Sequence, residues 1–87
     1  MSEEKKFYVY VHRYASGPKK GKVFYVGKGK GRRAWQKSRR NRHWVNVVNK
    51  YGFEYEIVLK FDREECAFSF EVAMISFYGM SSLCNMT

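Results

Sequence analysis

Between Phe24 and Trp35 the chain reads FYVGKGKGRRAW: a strand-like apolar run, three glycines spaced by lysines, two arginines and a closing aromatic. Glycine lets a backbone approach a ligand closely and take up positive φ. Lysines between glycines add point charges, and successive free N–H groups can cradle an anion. GKGKG therefore suits phosphate. It is neither the nucleotide-binding GxxxxGK[ST] nor the dinucleotide GxGxxG, whose third glycine falls one residue later. A solvated turn with charged spacers accounts for these residues equally well.

A second residue stands out by its surroundings. From Cys66 to Tyr78 the chain is almost wholly apolar, and Glu71 interrupts it. On a helix, positions 67, 71, 74, 75 and 78 share one face, which sets Glu71 among Ala67, Met74, Ile75 and Tyr78. A buried glutamate is rare unless it is paired or binds a cation. An internal Glu–Arg pair is one reading. A metal ligand is the other, because Mg²⁺ is commonly held by one carboxylate, waters and a substrate phosphate.

A basic turn, an embedded carboxylate and several tyrosines form the inventory for metal-assisted phosphodiester hydrolysis. An arginine can stabilise the extra charge on phosphorus, a metal the leaving oxygen, and a base must activate water. His12 and His43 are candidates for the base, although neither sits in a supporting pattern. A tyrosine is the alternative. Its ordinary pKa is about 10, and neighbouring positive charge is expected to lower it.

Charge agrees with an anionic partner. Seventeen Lys and Arg against eight Asp and Glu give a net charge of +9. No acidic residue occurs between Lys5 and Phe53, which makes this stretch a one-sign block that still carries strand and helix patterns. A folded basic face for nucleic-acid phosphate follows. A basic surface serving only solubility is the bland alternative. An anionic membrane surface fits poorly, because the basic residues form no clean amphipathic helix. No apolar run reaches the roughly 20 residues that span a bilayer, and MSEEKK lacks a signal-peptide core. Cys66 and Cys84 have no metal-ligand or disulfide-framework spacing and read as reduced core thiols. The expectation is a soluble, cytoplasmic protein.

These groups need a scaffold. At 87 residues, 1–87 form one small domain, and seven Phe, seven Tyr and two Trp must supply much of its core. FYVYVHRY at Phe7–Tyr14 reads as a strand, Ala15–Lys22 as a hairpin loop and Val23–Val26 as the return strand. Gly27–Gly31 is too glycine-rich for an element interior, and Arg32–Ser38 reads as a short helix. Asn41 is an N-cap for a helix bearing Trp44, Val45, Val47, Val48 and Tyr51, with Gly52 as its stop. Tyr55–Phe61 is a third strand. Asp62 and Glu65 have capping-box spacing ahead of a last helix from about Arg63 to Tyr78, stopped by Gly79. The order β-β-α-α-β-α gives an α+β domain: a small three-stranded antiparallel sheet flanked by about three helices.

At this point the chain resembles the GIY-YIG endonucleases, above all their phage-type, homing-endonuclease-like catalytic domains. The resemblance rests on Tyr8-Val9-Tyr10, Tyr25-Val26-Gly27, GKGKGRRAW, SRRNRHW and Lys50-Tyr51-Gly52. It continues in FSFE and ISFYG of the last helix and in Asn85-Met86-Thr87, so it covers almost the whole chain. Each triplet alone is a weak signal; their order carries the likeness.

The resemblance implies Mg²⁺-dependent cleavage of DNA, with Mn²⁺ as a substitute, inside a bacterial host. By position, Tyr10 resembles the general base and Tyr25 the tyrosine that orients the water or phosphate. Gly27 resembles the glycine that leaves room for the substrate backbone. Arg33 resembles the phosphate-binding arginine, Glu71 the metal ligand and Asn85 the tail asparagine that supports the site. Lys28, Lys30, Arg32, Lys37, Arg39, Arg40, Arg42 and His43 form the expected DNA-binding face. The protein is expected to be a monomer or weak dimer working with a separate DNA-binding domain or partner. Three features depart from the pattern: Tyr8 replaces the first glycine, the loop between the triplets is long, and Lys37 stands where many members carry a histidine. Two rival readings remain. One is a non-catalytic nucleic-acid-binding module on the same scaffold. The other is a basic interaction protein with Glu71 in an internal pair.

Overall fold

A computed structural model describes residues 5–79 and 82–85. Strands β1 (Phe7–Tyr14), β2 (Val23–Gly29) and β3 (Phe53–Phe61) form one sheet in the order β2-β1-β3, with β1 central and antiparallel to both neighbours. A single 3-10 turn, Arg33–Trp35, and helix α1 (Arg42–Tyr51) lie between β2 and β3, and helix α2 (Glu64–Tyr78) follows. The expected α+β class is therefore seen, with two α-helices rather than about three.

Side chains alternate across the central strand. Val9 and Val11 point to one face, where they cluster with Val26, with Ala67, Met74, Ile75 and Tyr78 of α2, and with Leu83. Tyr8, Tyr10 and His12 occupy the other. There Tyr8 and Tyr10 pack with Ala34, and His12 bonds to Trp44 of α1. α2 thus covers the valine face, and the 3-10 turn and α1 cover the tyrosine face.

Several boundaries differ from the sequence reading, each for a local reason. β2 does not end at Val26: Gly27, Lys28 and Gly29 pair with Tyr10, Val9 and Tyr8, so cross-strand pairing overrides the low strand propensity of glycine. The helix expected over 32–38 is one 3-10 turn, after which Gln36 is extended and Arg39 takes φ 60°. β3 starts two residues earlier than Tyr55, because Phe53 and Glu54 pair with Tyr14 and Arg13. The Asp62–Glu65 capping box does not form. Arg63 is the N-cap without a side-chain cap, and it donates instead to Glu65 at 2.9 Å. By contrast, Asn41 caps α1 by accepting from the Trp44 N–H at 2.8 Å, and Gly52 and Gly79 end α1 and α2 at positive φ. Cys84 is buried, as expected of a core thiol, but Cys66 is exposed on α2.

Candidate active site

The tyrosine face builds inward from Tyr8. Its hydroxyl donates to the Gly31 carbonyl at 2.7 Å and accepts from the Ala34 N–H at 2.9 Å. Tyr8 is therefore the clamp on the turn that carries Arg33. Tyr10 comes next, 1 % exposed. Its ring lies over Gly27, its partner in the β1–β2 register. A Cβ at position 27 would collide with the Tyr10 Cζ and hydroxyl. The glycine expected to make room for substrate makes room for this phenol.

The other glycines of GKGKG also have structural explanations. A Cβ at Gly29 would fall 2.6 Å from Cβ and Cγ of Arg33, so its absence lets the arginine stem cross the strand. Gly31 takes φ 62°, which turns the chain into the Arg33 segment.

Tyr25 stacks on His12 with ring centroids 5.4 Å apart and lies 6.2 Å from the Tyr10 ring. Its hydroxyl makes no hydrogen bond to another described residue and is not enclosed. His12 is fully buried. Trp44 Nε1–H donates to its Nδ1 at 2.9 Å, so the proton sits on Nε2, which donates to the Ala34 carbonyl at 2.6 Å. With both ring nitrogens engaged, and burial lowering its pKa to about 4, His12 is a structural bridge rather than the base. His43 is exposed and lines a separate 320 Å³ cleft with Tyr14, Lys19, Lys22 and Ser82.

Arg40 was expected on the DNA-binding face and lies instead inside the site. Its Nη1 donates to the Tyr10 hydroxyl at 2.7 Å, its Nη2 to the Arg33 carbonyl at 2.6 Å and its Nε to the Gln36 carbonyl at 2.9 Å. Its guanidinium carbon lies 5.5, 5.3 and 5.2 Å from the ring centroids of Tyr10, Tyr25 and Trp44. The expected lowering of the Tyr10 pKa is overturned: burial raises it, and the hydrogen bond and charge of Arg40 only partly oppose this.

Arg33 donates weakly to the Ser38 and Arg39 carbonyls, both at 3.3 Å. It lines a 420 Å³ cavity with Lys28, Gly29, Lys30, Gln36, Phe7 and Glu64. The cavity sits at the Gly29 end of β2. Three cations there stand against one carboxylate, and Lys28 is tied to that Glu64 at 2.8 Å. Lys30 lies 5.6 Å from the Phe7 ring. Arg32, Lys37, Arg39 and Arg42 are exposed.

Glu71 approaches from the α2 side, on the helix face that meets the valines. It is half-buried and, among the described residues, has neither an ion pair nor a hydrogen bond, so the internal Glu–Arg pair is not formed there. Burial raises its pKa, and the charge of Lys28 lowers it in part. The described residues contain no group of three or more His, Cys, Asp or Glu that could hold a metal. A lone unpartnered carboxylate fits a cation shared with a substrate phosphate, not one held by protein ligands alone.

Asn85 clasps β2 from outside. Its Oδ1 accepts from the Val26 N–H at 2.9 Å and its Nδ2 donates to the Val26 carbonyl at 2.5 Å. The Cys84 N–H donates to the Phe24 carbonyl at 2.6 Å, and Asn41 donates to the Cys84 carbonyl at 2.8 Å. Met86 and Thr87, which follow Asn85 in the tail motif, lie outside the described residues.

The structure thus gathers Tyr10, Tyr25, Arg40 and the Arg33 backbone on one face, with Glu71 on the other, where the charge of Lys28 acts on it. Sequence reasoning passed over the hydroxyl of Tyr8 and the interior place of Arg40. The usable signal was the alternation of polar-tipped rings at Tyr8, Tyr10 and His12 along β1. Compared with protein-family models, curated proteins and solved structures, the chain matches none.

Proposed function

We propose that this domain is a metal-dependent endonuclease that hydrolyses DNA phosphodiester bonds. The observation that carries the reading is Glu71. It is a half-buried carboxylate on an apolar helix face, without an ion pair among the described residues, and it feels the charge of Lys28, itself a lining residue of the 420 Å³ cavity. Such a group adds nothing evident to stability, and its charge repels phosphate unless a cation intervenes. The resemblance of the triplets to the GIY-YIG endonucleases supports the same reading.

In this proposal Arg33, Lys28 and Lys30 receive the scissile phosphate at the Gly29 end of β2. Arg33 stabilises the charge that grows on phosphorus as water attacks. Tyr10, once its own phenolic proton has passed to solvent, takes the proton from that water, and the accessible hydroxyl of Tyr25 orients water or phosphate. Glu71 would hold the Mg²⁺, which would supply Lewis-acid neutralisation of the leaving oxygen. Asn85 keeps the β2 edge in register beneath them. The exposed Arg32, Lys37, Arg39, Arg42 and His43 contact the DNA backbone, and Arg40 leaves that list.

One observation favours a second reading, a nucleic-acid-binding module without catalysis. The Tyr10 hydroxyl is enclosed and occupied by Arg40, so water reaches it only after a local rearrangement. Incubation with supercoiled plasmid separates the two. Nicking or linearisation that requires both Mg²⁺ and Glu71, with EDTA and a Glu71→Ala protein of unchanged circular dichroism as controls, is the expected result. Salt-sensitive DNA binding without cleavage would leave the binding module.

A further inference from the structure

Arg40 differs from the other cations of its segment. Among the described residues no carboxylate pairs with it, yet it is partly buried against three aromatic rings. A side chain placed there only for packing would need no charge, and a half-buried unpaired cation is costly to keep. The contact that uses the charge is the 2.7 Å bond from Nη1 to the Tyr10 hydroxyl.

A phenol has one proton to donate and two lone pairs to accept with. The Arg40 N–H occupies one lone pair, so the hydroxyl proton must point elsewhere, and the direction along which that proton can leave is restricted. A charged donor also favours the phenolate over the phenol. Meanwhile Nη2 and Nε hold the carbonyls of Arg33 and Gln36. One guanidinium therefore fixes the distance between the proposed base and the segment that carries the proposed phosphate clamp.

We infer that Arg40 is a positioning residue that acts through Tyr10, orienting its hydroxyl and holding it against the Arg33 turn. The inference rests on the nuclease reading for its effect on rate, but not for its effect on the hydroxyl.

The experiment joins a spectroscopic signature to a double-mutant cycle. With ¹³C-labelled tyrosine, the Cζ resonance of Tyr10, assigned by its loss in Tyr10→Phe, reports the hydrogen bond at neutral pH without DNA. Arg40→Gln is expected to move that resonance, and Arg40→Lys to move it less. Plasmid cleavage is expected to fall about 100-fold in Arg40→Gln, the scale of a misplaced general base, with partial rescue in Arg40→Lys. In a Tyr10→Phe background Arg40→Gln should cost little more, because the residue it acts through is already gone. A Cζ resonance unmoved in either folded variant, or losses that multiply in the double mutant, would overturn the inference. If the wild-type protein does not cleave, the nuclease reading fails alone, and the resonance decides whether Arg40 positions Tyr10. Arg40→Lys keeps the test open should Arg40→Gln unfold.

Discussion

The Tyr10 ring lies on the bare Cα of Gly27, its partner across the β1–β2 ladder. Any β-carbon there would have to displace a phenol that is 1 % exposed and held at its far end by Arg40. Gly27→Ala should therefore cost about 1–3 kcal/mol, the usual range for overpacking. Thermal melting would show this as a fall of about 4–8 °C per kcal/mol for a domain of this size. The cost should largely vanish in a Tyr10→Ala background. An equal loss in both backgrounds would mean that Gly27 is required by its own backbone rather than by the ring.

Glu71→Gln is expected to stabilise the domain at neutral pH while abolishing Mg²⁺-dependent cleavage. Burial raises the Glu71 pKa, so its ionised form opposes folding. That penalty is present above the folded pKa and disappears as pH falls through it and the carboxyl takes up a proton. The gain in Tm of the variant should shrink over the same interval, from the raised value down towards the ordinary glutamate range. A variant that instead loses about 3–5 kcal/mol would point to a buried partner for Glu71.

His12 imposes the opposite dependence. Its folded pKa of about 4 lies below the ordinary histidine value of about 6.5. The unfolded chain thus binds more protons between those limits, and stability present above pH 6.5 is lost as pH falls towards 4. The difference corresponds to about 3 kcal/mol. Denaturant titrations across this range, compared with His12→Gln, isolate the contribution from that of Glu71. Long-range ¹H–¹⁵N spectra should show a neutral ring with its proton on Nε2 at pH 7. A ring that titrates near 6.5 would contradict the Trp44–His12–Ala34 bridge.

The Asn85 clasp should be visible in amide exchange. Asn85→Ala removes both bonds to Val26, at a cost of about 1–3 kcal/mol. The Val26 amide should then exchange faster, while amides in the middle of β1 keep their protection. Uniform acceleration would indicate that the clasp supports the whole fold rather than the edge of β2.

How far the sequence disclosed this arrangement depended on the range of the interaction involved. Asn41, Gly52 and Gly79 mark helix ends because caps are local, and they sit where expected. The strand character of Phe7–Tyr14 was equally plain. The reach of β2 through Gly29 was not, because only pairing with Tyr8 and Tyr10 keeps those glycines extended. Nor was the exposure of Cys66. α2 is apolar on both sides, with Phe68, Val72 and Phe77 outward, so periodicity could not say which face is covered. Arg40 was hidden for a third reason. Nothing in a run of arginines distinguishes the one that a loop with Arg39 at φ 60° folds back onto a tyrosine.

The clasp of residues 84 and 85 on β2 also bears on self-association. A three-stranded sheet offers two rims for adding a strand from another molecule, and here the backbone of Phe24 and Val26 on one rim is already taken by the chain's own tail. Among the described residues, β3, which carries the exposed Val58 and Leu59, is the rim left open. One open rim allows two copies to meet and stop as a closed pair. Stripping the tail from β2 would supply a second, and with two rims the same contact can repeat without end as a fibre.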